Sequence, residues 1–169
     1  MGCDIHMYVE YKRKDEGNYS NFGGRINPGR NYYLFGLLCQ GIRSDLKEGI
    51  PERGLPNDCA WPARSDNQLY VTETDYSEGE CSRDSAESWV NSGSSKYTDE
   101  EKKWVTHPDW HSHSWITYEE FKDQYALFNV KKEEEKVFYK EPEYDALLAA
   151  LKSFHDGGYD VRIVFWFDN

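Results

Sequence analysis

The sequence predicts an α+β fold, a single compact domain over residues 1–169 whose sheet contains both terminal strands. The first ten residues, MGCDIHMYVE, alternate as a strand does and place Asp4 and His6 on one face. The last ten, DVRIVFWFDN, are the most strand-like run in the chain and end in Asp168 and Asn169. Between them, helical patterns alternate with long loops, and we expect the helices to pack on the sheet.

Composition narrows the class of protein. The chain has 169 residues, enough for a sizeable core, and its 6 Trp, 13 Tyr and 8 Phe make that core aromatic. A net charge of -11 disfavours general binding to nucleic acid or to anionic membranes. The four cysteines form no C-x-x-C pair and no signal peptide is evident, so we expect buried thiols in a cytoplasmic protein.

The first half of the chain predicts one helix between two irregular segments. Residues 12–18 predict a hairpin turn or surface loop, within a polar connection that extends to residue 27. Apolar residues at helical spacing predict a core helix over 30–40. Three prolines then predict a long ordered loop over 42–64, and loops of that length are usually functional or mobile.

The middle of the chain predicts short elements. We expect a strand over 68–74, an exposed acidic segment over 75–84 and a short helix over 85–90. A capping-box pattern at residue 98 predicts a helix through Trp104. The run HPDWHSHSW at 107–115 is expected to be a loop.

Two longer helices are predicted in the last third. Thr117 opens a second capping-box pattern, followed by a buried stripe of Phe121, Tyr125 and Phe128. The charge run at 131–136 is expected to be a solvated face. The clearest helix spans 142–155, with a proline in its first turn and Gly157 after its end.

A set of histidines and carboxylates is the first candidate site. Imidazole and carboxylate together suit zinc, manganese or iron, and equally suit general acid–base catalysis. The alternative is a polar network that only fixes the structure. The catalytic candidates are Asp4, His6 and His111, and the candidate ligands of a divalent metal (Zn or Mn) are Asp4, His6, Asp109 and His111. His113 and Asp168 complete the set.

Arginines form the second candidate set. A guanidinium binds phosphate or carboxylate in bidentate fashion, and Arg30 also falls at the start of a predicted helix, where anions are favoured. The alternative is ordinary ion pairing in an acidic chain, which we favour for Arg64. The candidate ligand-binding residues are Arg30, Arg43, Arg53, His111, Ser112, Trp115 and Asp168.

Serine hydrolysis is disfavoured. Ser112 and Ser114 lie beside histidines, but neighbours in one segment rarely supply the geometry of a catalytic triad, and no G-x-S-x-G motif is present. We interpret both serines as local hydrogen-bonding residues. Tryptophans such as Trp61, Trp110 and Trp115 are more often core than stacking platforms, although a base can stack on one.

Five ordered blocks resemble a family of small proteins encoded by tailed bacteriophages and bacterial genomes. The blocks are MGCDIH at 1–6, RNYYLF at 30–35, RGLP at 53–56, HSHSW at 111–115 and VRIVFWFDN at 161–169. The resemblance implies a phage or bacterial protein located in the cytoplasm, the host's if phage-encoded, but no established activity. His113 falls at the variable position of the fourth block, and residues 68–104 match no block.

These observations lead to three hypotheses of function. The favoured one is a phage-type protein that binds a small anionic, nucleotide-like ligand in a pocket of arginine, histidine and aspartate side chains. In a phage, sequestering an immune signalling nucleotide is one role that such binding could serve. The second is a divalent-metal-dependent phosphoester hydrolase that uses the metal candidates above. The third is an inhibitor that binds another protein through an acidic surface, and association into a homo-oligomer is compatible with all three.

Overall fold

Two β-sheets organise the chain, and each lies in its own compact unit. The first unit consists of Met1–Ala60 and His111–Asn169, and the second of Trp61–Trp110. This computed structural model describes residues 2–44, 46–73, 77–135 and 141–168. The α+β class is confirmed, whereas one domain over residues 1–169 stays a prediction. Asn169, parts of the predicted 68–74 strand and 75–84 segment, and the end of the 131–136 charge run lie outside the described residues.

The sheet of the first unit joins the two ends of the chain, as predicted. Its antiparallel order is β2-β1-β7-β6, formed by β1 (Ile5–Arg13), β2 (Ser20–Ile26), β6 (His111–Thr117) and β7 (Tyr159–Phe167). The terminal strands pair along their whole length, from Ile5 opposite Phe167 to Arg13 opposite Tyr159. Both ends of the chain are thereby held at one place in the sheet.

Three helices enclose the core of this unit: α1 (Tyr32–Leu38), α4 (Tyr118–Glu134) and α5 (Pro142–Asp156). Their buried residues join those of one sheet face in a single cluster, in which Ile163, Phe165 and Phe167 alternate along β7. The predicted stripe of Phe121, Tyr125 and Phe128 is buried in that cluster. Burying each of these side chains stabilises the fold by about 1.5–3 kcal/mol.

Local signals explain where these helices begin. The Asn31 side chain accepts the N–H of Leu34 and caps α1, which is shorter than the predicted 30–40 helix. The predicted capping box is present at α4, where Thr117 Oγ1 accepts the N–H of Glu120 and a Glu120 carboxylate oxygen accepts the N–H of Thr117. Pro142 occupies the first turn of α5, as predicted.

The second unit has a smaller sheet, ordered β4-β3-β5, and its own small core. Its elements are α2 (Trp61–Asp66), β3 (Gln68–Thr72), β4 (Glu80–Ser82), α3 (Arg83–Ser92) and β5 (Trp104–Thr106). The predicted short helix at 85–90 is present within α3. Throughout the described ranges, no helix is both long and apolar enough to cross a bilayer.

Several predictions about the middle of the chain are wrong. The predicted loop over 42–64 ends in α2, and the predicted exposed segment over 75–84 contains β4, in which Cys81 is buried. The segment from residue 98 forms turns instead of a helix, because Asp99 Oδ1 accepts the N–H groups of Lys103 and Trp104 at 2.9 and 3.0 Å. Lys102 also has a φ of 56°, outside the right-handed helical region. The 107–115 segment is not all loop, because its second half forms β6.

The polar connection after the first strand also differs from the prediction. Its second half is an edge strand, β2, and only the turn after Arg13 has the expected loop character. Two glycines with φ of 81° and 73°, Gly23 and Gly24, lie where the pairing register with β1 shifts. Such a bulged, glycine-containing strand lacks the regular alternation by which strands are recognised in a sequence.

Candidate functional site

A hydrogen-bonded network joins the first strand to the end of the last one. His6 Nε2 lies 2.8 Å from Asp168 Oδ2, and His6 Nδ1 lies 3.0 Å from Asn27 Oδ1. Asp168 Oδ1 accepts the N–H of Asp4 at 3.0 Å, and the Asp168 N–H donates to the Asp4 carbonyl at 3.2 Å. The predicted grouping of Asp4, His6 and Asp168 is therefore present, and both ring nitrogens of His6 have partners.

Arg30 holds the Asp4 carboxylate from outside this network. Its Nε donates to Asp4 Oδ1 and its Nη2 to Asp4 Oδ2, the latter at 2.6 Å. The bidentate contact holds the pKa of Asp4 below its ordinary value. The pair is open to solvent, with side-chain exposures of 52% for Arg30 and 43% for Asp4. A Cβ atom on Gly2 would lie 2.0 Å from Arg30 Nη1, so the glycine leaves room for the guanidinium.

Arg43 approaches the same segment through Tyr32 and Cys3. The Tyr32 hydroxyl accepts the N–H of Cys3 at 3.4 Å, and the Arg43 guanidinium lies 5.7 Å from the centre of the Tyr32 ring. Burial raises the pKa of the Cys3 thiol, an effect that Arg43 partly opposes. Arg43 is exposed and has a φ of 55°, which is uncommon for a residue other than glycine. Arg30 and Arg43 therefore both border the Cys3–Asp4 segment.

His111 lies on the other face of the sheet from His6. Their cross-strand partners, Phe167 and Trp166, are consecutive residues of β7 and so face opposite sides. The His111 ring packs on Phe167 with centroids 6.3 Å apart, and its Nδ1 lies 3.1 Å from Ser112 Oγ. Its Nε2 is buried without a hydrogen-bond partner among the described residues. From the sequence we expect His111 to point inward, within hydrogen-bonding or shared-ligand distance of Asp4, His6 or Asp168. In the structure its hydrogen bond is to Ser112, on the opposite face of the sheet from His6.

A bulge in β6 explains this placement. The pairing register with β7 shifts between His111 and Ser114, and Ser112 has a φ of 51°. Beyond the bulge, the His113 ring lies 5.6 Å from the Trp166 ring, and the His6 ring lies 6.4 Å from the same indole. The histidine on the His6 face is therefore His113, the one that the block pattern ranked second.

Arg53 and Trp115, both candidate ligand-binding residues, contact each other. The Arg53 guanidinium lies 4.9 Å from the Trp115 ring centre and donates to the Trp115 carbonyl at 3.2 Å. It also forms a bidentate pair with Glu120, the capping-box residue of α4, with one contact at 2.9 Å. The backbone N–H of Arg53 donates to the buried Ser114 hydroxyl at 3.2 Å. These contacts join the RGLP segment to β6 and α4, and they occupy much of the hydrogen-bonding capacity of Arg53.

A buried ion pair, which we did not predict from the sequence, lies farther along the same strands. Arg162 Nε and Nη2 contact Glu10 Oε2 at 2.9 and 2.8 Å, and Arg162 Nη1 lies 2.9 Å from Asp58 Oδ1. Glu10 is fully buried and accepts the N–H of Ala60 at 2.7 Å. Burial raises the pKa of Glu10, against the opposite effect of Arg162. A charged residue within the apolar run VRIVFWF was the signal that could have identified Arg162.

The remaining candidates do not assemble into a metal centre. Asp109 and Arg64 belong to the second unit, where the Asp109 N–H donates to His107 Nδ1 at 3.3 Å and Arg64 is exposed on α2. Across the described residues, no group of three or more His, Cys, Asp or Glu side chains is placed to hold a metal ion. All four cysteines are buried free thiols, as expected, and burial raises the pKa of Cys39 to about 11.

The candidate site is therefore the exposed end of the terminal-strand network, formed by Asp4, His6, Asp168, Arg30 and Arg43. A metal ligand needs a nitrogen or oxygen atom with a free lone pair. Both ring nitrogens of His6 are already within hydrogen-bond distance of other side chains, those of Asn27 and Asp168. The arginines remain the groups able to contact a further molecule, because Arg30 is half exposed and Arg43 is exposed. Comparisons of the chain with protein-family models, with curated proteins and with solved structures find no match.

Proposed function

We propose that this protein binds a small anionic, nucleotide-like ligand through Arg30 and Arg43, beside the Cys3–Asp4 segment. The observation that carries the proposal is the hydrogen-bonding capacity of Arg30. Asp4 accepts from only two of its N–H groups, Nε and Nη2. A guanidinium has five N–H donors, so others stay available on a side chain that is 52% exposed.

The local chemistry supports an anion as the ligand. The Arg30 guanidinium already binds one carboxylate in the bidentate geometry that phosphate groups also use. Arg43 adds a second positive charge near the same backbone, on an exposed stretch of chain. Tyr32, 40% exposed, offers a ring on which a base can stack. The Asn31 side chain already caps α1, so the groups available to an anion are the arginines and not that helix end.

The hydrolase alternative has less support. It needs a metal or a general base. Both ring nitrogens of His6 are already within hydrogen-bond distance of Asn27 and Asp168, so neither is open to a metal or a substrate proton. His111 has a nitrogen without a partner, but it lies on the other sheet face. Binding without chemical change is therefore the function that the geometry favours.

The test is a binding panel on the purified full chain. Inorganic phosphate, linear nucleotides and cyclic nucleotides are titrated by calorimetry, with and without chelator, and each is recovered and identified by chromatography. We expect at least one nucleotide to bind, to be recovered unchanged and to bind equally well with chelator present. Arg30→Ala should weaken that binding by roughly tenfold or more, the loss expected for a charge-assisted bidentate contact.

Arg83→Ala is the matched control, because it removes another exposed arginine that is paired with a carboxylate, Glu73, in the second unit. Asp4→Asn provides the opposite test: it removes the carboxylate that competes for Arg30 and should strengthen binding of the same nucleotide. If no member of the panel binds, or if Arg30→Ala and Arg83→Ala have equal effects, the proposal is wrong. Turnover of a nucleotide with added manganese or zinc would favour the hydrolase instead.

A further inference from the structure

A cavity in the first unit lies where the main sheet is incomplete. The last pair between β6 and β7 joins Thr117 to Arg162, so β7 continues beyond it through Tyr159–Val161 without a β6 partner. At this point β6 ends and α4 begins, which leaves a notch beside the strand. The notch is a cavity of about 220 Å³ lined by residues from two strands (β6 and β7), two helices (α4 and α5) and the turn before β2.

The lining combines aromatic rings with hydrogen-bonding groups. Tyr19, Trp115, Tyr118 and Tyr159 supply rings, and Asp160 supplies a carboxylate. Glu119, His155 and Arg162 add further polar atoms. Asp160 is half-buried, and its carboxylate has no hydrogen-bond or ion-pair partner within the part of the chain that the structure describes. Its oxygens are therefore available to accept hydrogen bonds from a molecule in the cavity.

The charges around the cavity are largely compensated. Arg162 is paired with Glu10 and Asp58 at 2.8 and 2.9 Å. Glu119 lies 3.1 Å from His155 Nε2 and also contacts Lys122. Compensation of this kind gives little electrostatic preference for a ligand of either sign.

Positive side chains also lie next to Asp160 and Tyr19, two other residues of the cavity lining. Asp160 lies opposite Lys12 across the β1–β7 ladder, which places a positive residue beside it. The Arg162 guanidinium lies 3.6 Å and the Lys12 ammonium 4.6 Å from the centre of the Tyr19 ring. Two cations of the protein therefore already form cation–π contacts with this ring. An organic cation would have to compete with them, and an anion would face Asp160 and Glu119.

We propose that this notch binds one pyranose ring of a neutral carbohydrate, independently of the anion site at Arg30. A pyranose has an apolar C–H face that packs on an aromatic ring and hydroxyl groups that need donors and acceptors in a mixed array. The notch offers both, and Asp160 accepts from sugar hydroxyls without giving up a bond within the protein. A volume of about 220 Å³ is below the usual drug-sized range of about 300–1,000 Å³, which agrees with a single ring.

The experiment measures binding of methyl pyranosides to the full chain. Methyl glycosides of glucose, galactose, mannose and N-acetylglucosamine are screened by saturation-transfer NMR, and hits are titrated by calorimetry. Tetramethylammonium and inorganic phosphate serve as the charged probes. An oligosaccharide ending in the best pyranose then distinguishes a free sugar from the end of a glycan as the source.

We expect a neutral pyranoside to bind, and Asp160→Ala to weaken it by roughly tenfold or more. Asp15→Ala is the matched control, since Asp15 is an exposed carboxylate in the turn after β1 and outside the lining, and it should leave the affinity unchanged. Arg30→Ala should also leave sugar binding unchanged, which separates this site from the anion site. The proposal is overturned if no pyranoside binds, if Asp160→Ala binds the sugar as tightly as the unaltered chain, or if tetramethylammonium or phosphate displaces the sugar.

Discussion

The imidazole of His6 and the carboxylate of Asp168 lie 2.8 Å apart, which links two residues separated by 162 positions in the sequence. Asp168 also accepts the N–H of Asp4 at 3.0 Å, so one carboxylate fixes both the backbone and a side chain of the first strand. The side-chain exposures of 11% for His6 and 29% for Asp168 make this contact largely sheltered from water. A sheltered contact of this kind stabilises a fold more than a surface pair does.

Removing Asp168 should therefore destabilise the protein. We expect Asp168→Ala to lower the free energy of unfolding by about 1–3 kcal/mol, since it leaves sheltered donors on Asp4 and His6 without their partner. Urea denaturation measures the change, with Asp156→Ala as an exposed control. A cycle with His6→Ala and the double variant should give a coupling of about 0.5–3 kcal/mol. Additive effects would mean that the two side chains act independently.

Gly49 should tolerate no larger residue. A Cβ atom at this position would lie 2.2 Å from the Gly36 carbonyl oxygen, which is backbone of α1 and cannot rotate away. We expect Gly49→Ala to lower the free energy of unfolding by about 1–3 kcal/mol, the usual cost of overpacking. Gly17→Ala is the control, because no atom lies within 4 Å of the added carbon there. Equal stabilities of the two variants, measured in urea, would contradict the close approach of the two segments.

The two terminal strands could be predicted, because alternation in each strand is a local property. Their expected placement in one sheet is confirmed by their direct pairing. The same alternation put Asp4 and His6 on one face, and the end of the last strand supplied Asp168. The strand β6 was missed because its bulge at Ser112 interrupts the alternation. His111 was favoured over His113 because His113 falls at the variable position of the HSHSW block, and the bulge instead places His113 on the His6 face.

The buried pair of Glu10 and Arg162 shows a different limit of sequence reasoning. Each residue lies in a mostly buried strand, and only the register between the strands puts them directly opposite each other. Nothing local to either strand specifies that register. The arginine candidates illustrate the same point, because Arg53 turned out to face Glu120, a residue 67 positions away.

The Arg53–Glu120 pair should contribute to stability in a pH-dependent way. The Arg53 guanidinium lowers the pKa of Glu120 below its ordinary value of 4.5. A carboxyl group with a lowered folded-state pKa stabilises the fold above its unfolded pKa, and that contribution is lost as pH falls through the folded pKa. We expect Arg53→Gln to lower stability at neutral pH and to make its decline on acidification shallower, measured by urea denaturation from about pH 7 to pH 3.

Lys14→Gln is the control for this variant, because it removes the same charge from an exposed turn. It should leave both the stability and its dependence on pH close to those of the unaltered chain. An Arg53→Gln profile parallel to that of the unaltered chain would show that Glu120 titrates without the influence of Arg53.

Arg162 should be far more important for stability than any exposed arginine. Its removal leaves Glu10, which is fully buried, without its countercharge. We expect Arg162→Met to lower the free energy of unfolding at pH 7 by about 3–5 kcal/mol, the range for breaking a buried pair. Arg83→Met, at an ion pair with side-chain exposures of 39% and 71%, should change the stability far less, because water screens an exposed pair.

The pH dependence of the Arg162 variant separates loss of charge pairing from loss of packing. Burial already raises the pKa of Glu10, and Arg162 opposes that rise, so the pKa should rise further in Arg162→Met. A carboxyl group with a raised folded-state pKa takes up a proton as pH falls, and the penalty for its buried charge then disappears. The stability difference from the unaltered chain should therefore shrink between about pH 7 and pH 5. A difference that stays constant over this range would assign the whole effect to the lost contacts of the Arg162 side chain with Tyr19 and Trp115.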